Sequence, residues 1–226
     1  MPILPRCRPA APAIATALLA APSALAVPDI MNGYSAEYSS GGSQLTNSTD
    51  NPTQDGDRKA YLFTTPASGP TSLFTVQSAR VLLNSANSAY PSAIEARAGI
   101  WSVSGGVPSV ELVGATYSGT LTATQTWAEF LLPFVLSANT QYAFQLSVTS
   151  TSPNAFKWAN MRPTTLLPTA YNGYSLDGAL GYNNSASSWT VLGANSANNA
   201  FALVPSPGAL VVGALAGLWA PSRRRR

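Results

Sequence analysis

Tyr142-Ala143-Phe144-Gln145-Leu146-Ser147-Val148 decides the fold class. Its even positions are large and apolar and its odd positions small or polar, the period-two signature of a strand with one buried face. Trp127 to Leu136 repeats the pattern, with Ala128, Phe130, Leu132, Phe134 and Leu136 on one face. Pro133 breaks one ladder hydrogen bond and so favours an edge or strand-end placement.

Further strand candidates are Ala60 to Thr65, Leu73 to Leu83, Ala96 to Val103, Val110 to Tyr117, Phe156 to Met161, Trp189 to Leu192 and Ala200 to Val204. Turn signals separate them at Ala67-Ser68-Gly69-Pro70, Ser104-Gly105-Gly106-Val107-Pro108, Ser137-Ala138-Asn139-Thr140 and Ser152-Pro153-Asn154. No segment carries a helical stripe. The expected fold is all-β: an antiparallel β-sandwich, jelly-roll-like. The Ser-, Thr-, Asn- and Gly-rich stretch from Ser39 to Asp57 reads as a long loop. Asn32-Gly33-Tyr34-Ser35 and Asn172-Gly173-Tyr174-Ser175 both read as turns, since Asn-Gly favours positive φ.

The two ends are of different character. Arg6 and Arg8 precede the small apolar run Ala10 to Ala21, and Ala24-Leu25-Ala26 forms an A-x-A cleavage site. Residues 1–26 therefore read as a secretory signal peptide, residues 27–204 as one extracellular domain, and residues 205–226 as a sorting or anchor segment. In that tail, Val204-Pro205-Ser206-Pro207-Gly208 leads into an uncharged run to Ala220, then Pro221-Ser222 and Arg223, Arg224, Arg225 and Arg226. As a short hydrophobic helix, Gly208 to Ala220 reaches only about 20 Å. That falls short of a hydrocarbon core of roughly 30 Å. The arginines hold the cytoplasmic side by the positive-inside bias.

This tripartite tail resembles the PEP-CTERM sorting signal, whose processing enzyme is the membrane protease exosortase; Val204-Pro205-Ser206-Pro207 stands where the family carries Val-Pro-Glu-Pro. The resemblance implies a partner, an exosortase-type sorting protease, and a transient membrane contact through the tail. It also implies a cell-surface or extracellular-matrix destination associated with exopolysaccharide or biofilm. Ile100-Trp101-Ser102-Val103-Ser104-Gly105-Gly106-Val107-Pro108, with Ser137-Ala138-Asn139-Thr140-Gln141-Tyr142, resembles the choice-of-anchor class of bacterial surface domains. That implies an extracellular sandwich and brings no catalytic residues.

Charge excludes more than it selects. The whole chain carries +3, but six of its arginines lie in the two end segments. Between Val27 and Val204 six basic residues face nine acidic ones, a net charge of −3. No basic face exists to neutralise phosphates, so a nucleic-acid partner is not expected. With no His and one Cys, Cys7, inside the signal, His-based triads, Cys-His dyads and His-ligated zinc are excluded. The domain has no disulfide and depends on its core. No cofactor is expected.

Three candidate chemistries remain. Asp50, Asp55 and Asp57 around Gly56 supply oxygens for calcium, or simply a solvated loop tip. Tyr171, Tyr174, Tyr182 and Trp189 form a loop-rich aromatic set suited to stacking on carbohydrate, with Asn172, Asp177, Asn183 and Asn184 to bond hydroxyls; the competing reading is rings capping the core. Trp101 and Trp127 read as core or sheet-face packing. A glycoside hydrolase needs two facing carboxylates about 5 or 6.5–9.5 Å apart. Glu95, Glu111, Glu129 and Asp177 are available, but no spacing selects a pair. The sequence favours a structural or adhesive, non-enzymatic surface protein, with a carbohydrate-binding module as the alternative and a polysaccharide hydrolase as the third reading.

Overall fold

The computed structural model describes residues 29–45, 58–86, 91–122, 124–149, 151–163, 165–183, 187–193 and 197–206. The signal peptide, the calcium candidates Asp50, Asp55 and Asp57, and the tail from Pro207 through Arg226 lie outside them.

Thirteen strands run through the described residues. They are β1 (Met31–Asn32), β2 (Glu37–Leu45), β3 (Arg58–Thr64), β4 (Thr75–Ser85), β5 (Ser92–Ser104), β6 (Val107–Leu121), β7 (Thr126–Val135), β8 (Gln141–Val148), β9 (Phe156–Arg162), β10 (Thr169–Ala170), β11 (Ser175–Asn183), β12 (Ser188–Val191) and β13 (Phe201–Pro205). A single 3-10 turn, Thr71–Phe74, is the only helical element among the described residues. No described helix is long and apolar enough to cross a membrane.

The strands form two antiparallel sheets packed face to face, a β-sandwich. One has seven strands in the order β10-β1-β13-β4-β9-β2, with β7 pairing β4 as a further edge. The other has six, β12-β11-β3-β8-β5-β6. The chain crosses repeatedly between them, so strands distant in sequence become neighbours.

Alternation decides the core. Tyr142, Phe144, Leu146 and Val148 of β8 point between the sheets, as do Ala128, Phe130 and Leu132 of β7. There they meet Tyr61 and Phe63 of β3, Trp158 of β9 and Phe201 of β13. The rings interlock: Trp158 stands edge-on to Tyr61, Phe144 and Phe201, and Phe144 stacks on Phe201 at 5.3 Å. Offset and edge-on contacts of this kind suit the ring quadrupoles. Pro133 sits on the edge strand β7, beside a register shift in its pairing with β4.

All nine expected segments contain strands, though Leu73 and Phe74, expected to open β4, belong to the 3-10 turn. Two stretches read otherwise in sequence are strands as well. Ser39–Leu45, expected as loop, belongs to β2, and the loop-rich region after Tyr174 holds β11. Asn172 and Gly173 do form a turn at φ 57° and 82°. Asn32 instead ends β1, and Gly33 continues its pairing with a hydrogen bond from its N–H to the Phe201 carbonyl at 2.6 Å. β13 extends through Pro205, and the Ser206 N–H bonds the Thr75 carbonyl at 2.8 Å, so the last strand outruns the expected boundary at Val204.

Candidate functional site

The outer face of the seven-stranded sheet carries an aromatic cleft. On β7 the inward set Ala128, Phe130 and Leu132 forces Trp127, Glu129 and Leu131 outward by strand pleat. Trp127 is 39% and Leu131 66% exposed. Directly opposite on β4, Arg80 pairs in register with Glu129, and Leu82 with Trp127. Tyr34, between β1 and β2, and Tyr38, on β2, come to the same face: Tyr34 stands edge-on to Trp127 at 5.6 Å and Tyr38 at 5.9 Å.

Beneath these rings lies a small outer-face apolar cluster, Leu82, Ala159, Met161 and Ala200, on which Tyr38 packs. Tyr34, Tyr38 and Trp127 line a cavity of about 440 Å³ with Arg80 and Glu129. The Arg80 Nε lies 3.8 Å from Glu129 Oε1, both side chains half-exposed, and Ser78 Oγ donates to that carboxylate at 3.0 Å. Partial burial, with the nearby Asp29 carboxylate, raises the Tyr34 pKa. It stays a neutral phenol. The cleft thus offers ring surfaces beside forked donors and acceptors, which suits a ligand with one apolar face and a rim of hydroxyls. A second concavity of about 590 Å³, lined by Ala36, Glu37, Ser39, Arg162 and Pro163, has no aromatic wall among the described residues.

The expected aromatic set does not assemble. Tyr174 is buried, its ring near Phe63 and its hydroxyl donating to the Leu73 carbonyl. Tyr182 and Trp189 face each other across the β11–β12 pair, edge-on at 5.2 Å, with the Arg58 guanidinium 5.0 Å from the Tyr182 ring. Both lie on the six-stranded sheet, where Trp189 packs on Ala60, Leu62, Ala143 and Leu180 together with Trp101. Tyr171 stands apart, beyond β10, with its hydroxyl donating to Asn32 Oδ1 at 3.3 Å. Of the sorting residues, Val204 and Ser206 are half-buried and Pro205 is buried at the end of β13; Pro207, Gly208 and Arg223–Arg226 are outside the described residues, as are Ala24 and Ala26.

Each hydrolase candidate is held in its own network. Glu95 accepts from Thr149 at 2.6 Å and Thr151 at 2.5 Å, which lowers its pKa. Asp177 is partly desolvated, which opposes ionisation, yet the bonds from Gln141, Thr64 and Ser175 prevail and its pKa is lowered too. Glu111 grips the Arg97 guanidinium through Nε at 3.0 Å and through Nη2. A general acid needs the opposite shift. Among the described residues no three His, Cys, Asp or Glu side chains cluster to hold a metal.

Trp127 read in sequence as core or sheet-face packing; the signal that could have placed it outward is its position next to the inward series Ala128, Phe130 and Leu132. Tyr34 and Tyr38 did not read as site residues, because only the place that β1 and β2 take in the sheet carries them there. No family model matches the chain, and neither a curated protein nor a solved structure is similar to it.

Proposed function

We propose that this chain is an exported surface or matrix protein that adheres, without catalysis, to extracellular polysaccharide, and that the Tyr34–Tyr38–Trp127 cleft is its glycan-binding surface. One observation carries the reading: three aromatic rings meet on an outer sheet face, partly in water, beside a half-exposed Arg80–Glu129 pair. Rings that serve only the core are better buried. The exported and sorted character rests on the two ends of the sequence. A non-catalytic role is supported by the hydrogen-bonded state of Glu95, Asp177 and Glu111.

The test is a glycan array probed with the chain from Val27 onward and with its Trp127→Ala variant. Wild type should retain polysaccharide. The variant should lose tenfold or more in affinity, about 1.4 kcal/mol, with a thermal midpoint little changed because the ring is already part-exposed. If no glycan is retained, or if Trp127→Ala binds as wild type does, the cleft is not a glycan site.

A further inference from the structure

We infer that the ligand is a neutral polysaccharide gripped along the interior of its chain, lying across the strands from Trp127 on β7 to Tyr171 beyond β10. This rests on reading the cleft as a glycan-binding surface and extends it to a second contact and a substrate class.

The sheet register draws the path. Glu129 lies opposite Arg80, Arg80 opposite Ala202, Ala202 opposite Asn32, and Asn32 opposite Thr169. Five residues on five adjacent strands therefore form one row perpendicular to the strands. The row covers four inter-strand spacings, roughly 19 Å, the length of several sugar rings rather than one. At its centre is Ala202, which is fully buried, so the contacts along the row come from the exposed groups on either side of it.

Polar groups continue along the row past the cleft. Asp29 lies close to Tyr34, Asn32 Nδ2 donates to Asp29 Oδ2 at 3.0 Å, and the Tyr171 hydroxyl donates to Asn32 Oδ1. Asp29 and Asn32 thus tie the cleft to a second exposed ring, Tyr171, at the far margin. Both margins are edge strands: β7 pairs with β4 and β10 with β1. A strip that runs from edge to edge suits a chain passing through, whereas recognition of a chain end needs a closed pocket.

Charge selects the class. Asp29 and Glu129 outnumber Arg80 on the strip, and Arg80 already faces Glu129. A uronate carboxylate arriving there meets net negative charge, and the domain from Val27 to Val204 adds −3 in all. Hydroxyls of a neutral sugar can instead donate to the carboxylates and accept from the guanidinium.

The test titrates the chain from Val27 onward, and its Tyr171→Ala and Trp127→Ala variants, with cello-oligosaccharides and manno-oligosaccharides of increasing length and with polygalacturonate. Affinity for at least one neutral series should rise tenfold or more from the disaccharide to the longest member. Tyr171→Ala should remove most of that rise and leave the disaccharide unaffected, at an unchanged thermal midpoint, while Trp127→Ala weakens both. Polygalacturonate should bind at least tenfold more weakly, and the gap should narrow as salt is added. Trp127-dependent binding that saturates with the disaccharide, that ignores Tyr171→Ala, or that prefers polygalacturonate overturns this inference alone. Binding to no probe, or binding indifferent to Trp127, overturns the glycan reading with it.

Discussion

Asn199 shows how one polar side chain organises an apolar interior. It is fully buried, its Nδ2 donating to the Trp158 carbonyl and to Asn160 Oδ1, both at 2.8 Å. Its Oδ1 accepts from the Tyr61 hydroxyl at 3.0 Å, and that same oxygen of Tyr61 accepts from the Asn199 N–H. Burial accordingly holds the Tyr61 pKa far above its usual value. Replacing Asn199 with Ala leaves the Tyr61 O–H proton without its acceptor and weakens the hold on the Trp158 carbonyl, at about 1–3 kcal/mol per stranded group. Tyr61→Phe should lose a similar amount from the other side. Chemical denaturation of the two variants and the double variant should show strong non-additivity, because one network is removed each time. A second buried polar residue, Lys59, makes stability depend on pH. Desolvation pulls its pKa down to about 7, below the ordinary lysine value of about 10.4 in the unfolded chain. Between those values the unfolded state binds more protons than the folded state, so stability should rise with pH from 7 to 10. Unfolding midpoints across that window check the sign, and Lys59→Met should flatten the slope. Neither residue announced itself in sequence, where Asn199 lies in a run of Asn, Ser and Ala and Lys59 beside Arg58 looks solvated.

Among the strands, the β5–β6 hairpin was the most legible. Ser104 pairs with Val107 across a two-residue loop, and Gly105 and Gly106 take φ 60° and 78°, the geometry that Gly-Gly satisfies without strain. Gly106→Val forces a β-branched side chain into that region and should cost about 1–2 kcal/mol. Thermal unfolding would register it, and an unchanged midpoint would contradict the turn assignment. β2 and β11 were illegible for a common reason. In β2 the pairing shifts between Ser39 and Gly42, and at Gly42 a Cβ would collide with the Trp158 carbonyl of β9. In β11 the shift falls between Leu176 and Gly178, so Leu176 and Ala179 share the inward face three residues apart and Leu180 turns outward. A bulge changes the phase of a period-two pattern midway, and a reading that seeks unbroken alternation passes over it.

Across the whole molecule the described strands pair with one another between Met31 and Pro205, and the sandwich closes just ahead of the tail. A chain ended after Ser206 keeps the Pro205–Val76 pairing and the Ser206–Thr75 hydrogen bond. It should unfold at the same denaturant concentration as a longer chain, whereas one ended after Val204 should lose about 1–2 kcal/mol. Equal stability of the two would show that β13 frays before Pro205. The sequence by itself determined the fold class, since alternation in β7 and β8 depends only on which residues avoid water, and it determined the charge balance and the absence of His from the whole chain. Which rings gather around Trp127 depended on how the strands pack. Tyr34 and Tyr38 come from the far end of the domain, and the row from Glu129 to Thr169 joins strands from β1 to β13. Periodicity records which face of a strand a side chain occupies. Which strands lie side by side is set by the crossings between sheets, and on that the local pattern is silent.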